Sequence, residues 1–237
     1  MSSVPPQGPG FVPPPPPPPP RPPYAAPPSG GLPWETKALG PEPFFETAKL
    51  FVTAPDQAWR LTRETGDFTR PLLFGVIVGW VGLVFNAVWG AMIGVPWLRY
   101  VPEQYRGYMG RAGGGIVAQV ILGPLFIALG LFIGSAIFHV AFMIVGALRG
   151  SRSQFEGTFR AVSYSSIAHI AYVIPFVGGL VALVWRIYLM MLGVQQLHKT
   201  TQGKALAGIL LPIALCCVCA ILGIALAGAA LFSAFNK

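Results

Sequence analysis

Residues Gly157–Ile213 read GTFRAVSYSSIAHIAYVIPFVGGLVALVWRIYLMMLGVQQLHKTTQGKALAGILLPI. Two hydrophobic segments meet at the Pro-Phe-Val-Gly-Gly break of Pro175–Gly179, and a short polar turn then leads into another hydrophobic run. The 36 residues from Val162 to Leu197 would make a straight helix of ~54 Å, too long for one ordinary crossing of a ~30 Å hydrocarbon layer. Pro175, Gly178 and Gly179 supply the break. The stretch reads as a membrane hairpin, about Val162–Val177 and Gly179–Leu197. Its first arm is short and carries Ser163, Ser165, Ser166 and His169, so a re-entrant hairpin is the alternative.

Composition agrees with a membrane setting. Hydrophobic residues make up 54% of the chain and charged residues only 10%, with a mean hydropathy of +0.61, well outside the soluble globular range. The net charge of +8 comes from basic residues scattered between apolar runs, which read as topology signals beside anionic lipid and not as a nucleic-acid face. Cys216, Cys217 and Cys219 share one apolar run, so no disulfide framework is available.

Working outward, three further spans follow from the length rule: about Pro71–Trp97, Gly115–Leu148 and Lys204–Phe235, the last with a kink at Pro212. Trp89 and Trp97 suit the far interface. The expected fold is therefore all-α: a polytopic bundle of five transmembrane helices in residues 67–237, preceded by amphipathic juxtamembrane helices in 44–66 and a disordered proline-rich tail in 1–43. That tail holds 18 of the 25 prolines, lacks a signal peptide's basic and apolar regions, and cannot bury a core. Its proline run favours a polyproline II arm. Pro17, Pro20 and Arg21 match a docking motif for a proline-binding protein partner, although low-complexity runs satisfy that pattern automatically.

In the juxtamembrane stretch, Leu32-Pro33-Trp34-Glu35 ends the disorder, and Phe44, Ala48, Phe51 and Val52 recur at helical spacing. Thr53-Ala54-Pro55-Asp56 reads as a second helix start with Thr53 as cap, and Arg60 and Arg63 would face phosphate headgroups. Phe155, Phe159 and Val162 form another amphipathic repeat. Counting Lys and Arg by side with the N-terminus inside places eleven on the cytoplasmic side against four outside. The N-terminus is therefore expected in the cytoplasm and the C-terminus outside.

Gly157-Thr158-Phe159-Arg160, Tyr164-Ser165, Trp185, Gly193, His198 and Lys204-Ala205 through Pro212, together with the Phe-rich amphipathic segment before Pro55, resemble the Yip family of Ypt/Rab-interacting multi-pass membrane proteins. The resemblance runs from about Phe44 to Phe235, is a pattern of spacing more than a strict motif, and is closest to bacterial members. It implies a five-span bundle with a cytosolic N-terminus. Eukaryotic relatives bind small GTPases and help organise membrane traffic, whereas bacterial relatives lack an assigned activity. The Asp-Leu-Tyr-Gly-Pro motif of eukaryotic members is absent, and the first-span entry reads Pro71-Leu72-Leu73-Phe74-Gly75. This departure disfavours small-GTPase binding and favours a bacterial cytoplasmic membrane over an endoplasmic reticulum or Golgi membrane.

Candidate functional residues are few. Arg186 is the one Lys or Arg near the middle of a span, where a charge costs about 2.5–3.5 kcal/mol on insertion scales, and no span contains an acid to pair with it. An anion or lipid-headgroup contact in a polar cavity competes with snorkelling or pairing to serines and carbonyls. Ser165 and Ser166 share a helix face with His169, but no acid or oxyanion donor accompanies them, so polar contacts of Tyr164, Ser165 and His169 within the bundle explain them more simply than catalysis. His139 facing His169, or Cys216 with Cys219, would be a poor metal site. No cofactor is expected. The small residues Gly223, Ala225, Gly228 and Ala229 fit helix packing or a homo-oligomer and by themselves predict no partner. The reading that accounts for most features is a non-enzymatic membrane organiser or partner-recruiting scaffold in contact with membrane lipids. The alternative is a transporter or channel component moving a small solute or lipid, and an intramembrane enzyme is disfavoured.

Overall fold

The structure, a computed structural model, describes residues 31–93 and 116–235. Described residues form helices and turns without strands. In chain order they are α1 (Pro33–Thr36), α2 (Pro41–Thr53), α3 (Pro55–Leu61), α4 (Thr69–Ile93), α5 (Ile116–Ile144), α6 (Gln154–Ser165), a 3-10 helix (Ser166–Val173), α7 (Gly178–His198) and α8 (Gln202–Phe235). Pro17, Pro20 and Arg21 of the tail, Trp97 and the three arginines between the first two spans lie outside the described residues.

Among the described residues, four helices are long and apolar enough to cross a membrane: Thr69–Met92, Ala118–Ile144, Gly178–His198 and Gln202–Leu226. The chain is an integral membrane protein. Five single spanning helices were expected, and the segment Val162–Val177 departs from that. Its residues finish α6 and then wind as a 3-10 helix to Val173. The local cause is side-chain competition for backbone. The hydroxyls of Ser165 and Ser166 both donate to Val162 O, at 2.9 and 3.2 Å, and the Ser166 N–H turns back to Ser163 O, three residues earlier. The tight coil then fits against α4 at Gly82, where a Cβ would stand 2.8 Å from the Cβ of His169.

Phe155, Phe159 and Val162 lie on α6 and pack inward, Phe155 only partly buried. Phe159 and Val162 are buried in the core, which the paired helix α7 and the walls α4 and α5 enclose. At the other end of the 3-10 helix, the Trp89 indole N–H donates to Tyr172 O at 3.0 Å, tying the segment to a late turn of α4. The break after it is as the residues require: Gly178 admits no Cβ because Ala171 O occupies that space.

The N-terminal helices α1–α3 form a small module at one end of the bundle. Folded structure begins ahead of residue 43, with Leu32 and Trp34 buried and Leu32 N–H donating to Leu61 O at 3.1 Å. In α2, Pro43, Thr47 and Phe51 recur four apart and make the buried face. Thr53 does not cap α3. Its hydroxyl bonds back to Lys49 O at 2.8 Å, and Ala54 occupies the cap position, because Pro55 at the first helical position leaves one fewer N–H to satisfy. Rings of Trp34, Phe44, Phe51, Trp59, Phe74 and Tyr164 knit the module to α4 and α6, with Phe51 stacked on Tyr164 at 5.4 Å.

Candidate functional site

Two candidate polar sites lie among the described residues of this largely apolar frame. The first joins the module to the bundle. Glu35, in α1, and Arg160, in the second turn of α6, form a buried ion pair through Oε1 and Nη1. The Tyr164 hydroxyl, one turn further along α6, donates to the same Oε1 at 2.8 Å, and the Arg63 backbone N–H donates to Oε2 at 3.0 Å. Arg160 is satisfied on its other side by Glu156 Oε1 at 2.8 Å and by Asp67 O at 2.9 Å. Burial pushes the Glu35 carboxyl above its ordinary value of 4.5, outweighing the opposing pull of the Arg160 charge and of its hydrogen bonds. Both carboxylate oxygens of Glu35 and all three guanidinium nitrogens of Arg160 have partners, as a buried charge pair needs in order to persist.

The second site is a cavity of about 800 Å³ between α4, α5, the 3-10 helix and α7. Its polar lining is Asn86, Gln119, Ser166, His169, Tyr172 and Arg186. The Arg186 guanidinium reaches the 3-10 helix, with Nη1 3.2 Å from His169 Nε2. For that contact to be a hydrogen bond Nε2 must accept, so the proton of the neutral ring sits on Nδ1, which is buried without a partner. His169 stacks on Tyr172 at 5.5 Å, which holds the ring in place. No Asp or Glu occurs in any of the spanning segments, so the charge of Arg186 has no counter-ion there.

The four residues singled out in the sequence therefore divide. Arg186 and His169 meet in the cavity. Tyr164 belongs to the Glu35 site, and the Ser165 hydroxyl is spent on Val162 O. His139 does not face His169. Its Nδ1 lies 2.9 Å from Thr158 Oγ1, which lies 3.0 Å from His198 Nε2, while His198 Nδ1 is 2.7 Å from Ser151 Oγ. This chain of hydroxyls and imidazoles stitches the ends of α5, α6 and α7 together. Cys216, Cys217 and Cys219 are exposed on α8, and among the described residues no group of His, Cys, Asp and Glu is placed to hold a metal.

Glu35 and Arg160 were not found as site residues by sequence reasoning. Glu35 appeared only as the end of a disordered tail, and Arg160 as a topology charge and part of the Gly157–Arg160 stretch that carries the resemblance. The available signal was an acid set directly beside Pro33 and Trp34, in a segment otherwise lacking charge back to Arg21.

The profile of the Yip1 domain matches residues 49–224. No curated protein and no solved structure matches the chain.

Proposed function

Since the chain belongs to the Yip1 domain family, we propose that it is a non-enzymatic membrane organiser whose N-terminal module shapes or marks the bilayer surface and whose proline tail recruits a protein partner. One observation carries the reading: α2 is held rigidly against the bundle by the buried side of the module while its other side presents apolar surface. Phe45 is 67% exposed and Val52 44% exposed, beside a groove of about 880 Å³ walled by Ile77, Val81 and Ile170. A membrane-surface helix with such a face lies at the boundary of headgroups and acyl chains, where it displaces lipid in one leaflet only. Fixed attachment turns that displacement into a bias on the bilayer.

In this reading the segment Val162–Val177, which finishes α6 and continues as the 3-10 helix, makes a fifth passage. Five passages would put the two termini on opposite sides, and the distribution of basic residues supports a cytoplasmic module and an outside C-terminus. The departure from the eukaryotic motif supports a bacterial cytoplasmic membrane and argues against a small-GTPase partner.

The test is reconstitution of the full chain into phospholipid vesicles imaged by electron cryomicroscopy. Wild type is expected to convert round vesicles into smaller or tubular ones, and Phe45→Glu with Val52→Glu is expected to leave them round. Unchanged vesicles with wild type, or equal remodelling by the double variant, would sink the organiser reading. Recruitment by the tail is read separately, by in-membrane crosslinking of the full chain against one beginning at Gly31; a partner captured by both removes the tail from the proposal.

A second reading, movement of a small solute or lipid, is favoured by the polar cavity at Arg186. Flux in the same vesicles separates the two.

A further inference from the structure

We propose that the Arg186 cavity binds one oxyanion of the phosphate class, supplied by a phospholipid headgroup or as free phosphate. The inference stands on the cavity and not on vesicle remodelling.

Among the described residues the electrostatics are unfinished without such a ligand. A guanidinium carries five N–H donors and a permanent charge, yet its hydrogen bond among the described residues goes to a neutral imidazole, which cannot neutralise it. The spans contain no carboxylate that could do so. His169 adds a second unmet polar atom on the same wall, the buried Nδ1. Snorkelling does not describe the arrangement, since a side chain reaching for a membrane surface would leave His169, whereas Arg186 points inward and holds it.

The cavity also has the right shape and lining. Its volume of about 800 Å³ far exceeds what a few waters need and leaves room for a headgroup. The planar fork of arginine matches two oxygens of a phosphate at once. Asn86 and Tyr172 bring further donors to the lining. Leu122 and Phe126 of α5 line the same space and are 48% and 64% exposed, so the wall continues onto the lipid-facing surface, where acyl chains would lie.

The measurement is native mass spectrometry of the full chain extracted from nanodiscs of phosphatidylcholine doped with phosphatidylglycerol, with thermal unfolding in detergent alongside. Both lipids present a phosphodiester oxyanion, which in phosphatidylcholine alone is offset by a tethered choline cation, so wild type should keep phosphatidylglycerol over phosphatidylcholine by about tenfold. Arg186→Gln should lose the preference and Arg186→Lys should keep part of it. Arg60→Gln, at an exposed surface cation, should keep it in full. Gly130→Leu gives an independent arm: Gly130 lines the cavity and a Cβ there meets nothing within 4 Å, so the side chain fills space without disturbing the fold. It should lose the preference even if Arg186→Gln fails to fold.

Inorganic phosphate distinguishes the sources. If it competes phosphatidylglycerol away, or raises the unfolding temperature of lipid-free wild type but not of Gly130→Leu, the ligand is the free anion. If it does neither while phosphatidylglycerol is retained through Arg186, the ligand is a headgroup. The proposal is overturned if wild type shows no response to either probe, or if the variants at 186 and 130 respond as wild type does.

Discussion

Glu35 and Arg160 lie 125 positions apart in the chain and close a buried ion pair in which the Tyr164 hydroxyl shares the same carboxylate oxygen. The pair is lopsided. Arg160 has a second acid, Glu156, whereas the remaining partners of Glu35 are neutral donors.

Removal of the two partners should therefore differ in cost. Arg160→Met strands the buried carboxylate and should destabilise by about 3–5 kcal/mol, and Glu35→Leu should cost less because Arg160 keeps Glu156. The double variant should recover most of the loss. A double-mutant cycle on unfolding in detergent checks this, and equal single-variant losses would count against the asymmetry.

The raised carboxyl of Glu35 gives a pH signature with a definite sign. Between 4.5 and its raised value the folded chain binds more protons at this site than the unfolded chain, so its contribution to stability grows as pH falls through that window and fades as pH rises out of it. Unfolding of wild type and Glu35→Gln across the window is the check; the variant should lack this component of the slope.

Gly193 should tolerate nothing larger. A Cβ there would stand 2.7 Å from Cη2 of Trp59, a fully buried indole that has no room to withdraw. Gly193→Ala should cost about 1–3 kcal/mol and loosen α3 from α7. Faster tryptic cleavage at the exposed Arg60 and Arg63 would report it.

Ser151 and His198 sit at hydrogen-bond distance, the spacing of a nucleophile and its base, yet both imidazole nitrogens face hydroxyls and neither faces a carboxylate. Ser151 should stay unlabelled by a fluorophosphonate probe. His198→Leu should instead destabilise by about 1–3 kcal/mol, because it leaves the buried Thr158 hydroxyl and its neighbours short of partners. Labelling of Ser151 that vanishes in His198→Leu would reverse the assignment.

The helical frame was legible because its signals are local. Apolar runs located the spans, Pro175 with Gly178 and Gly179 located the break, and the spacing of Phe44, Ala48 and Phe51 located α2. The third passage misled for a local reason too: hydropathy reports that residues 162–177 are apolar, but whether Ser165 and Ser166 turn their hydroxyls onto Val162 O, and so tighten the coil, depends on backbone geometry. Arg186 stood out as an unpaired charge, but not the fact that His169 would meet it.

Composition and periodicity by themselves determined a helical membrane protein with an amphipathic entry segment, since each of those properties is set by residues a few positions apart. Tertiary structure alone decided which buried charges pair and where space remains. The Glu35–Arg160 contact and the Arg186 cavity depend on how whole helices rotate about their axes and approach one another at glycines such as Gly82 and Gly193, and hydrophobic periodicity leaves those rotations and distances free.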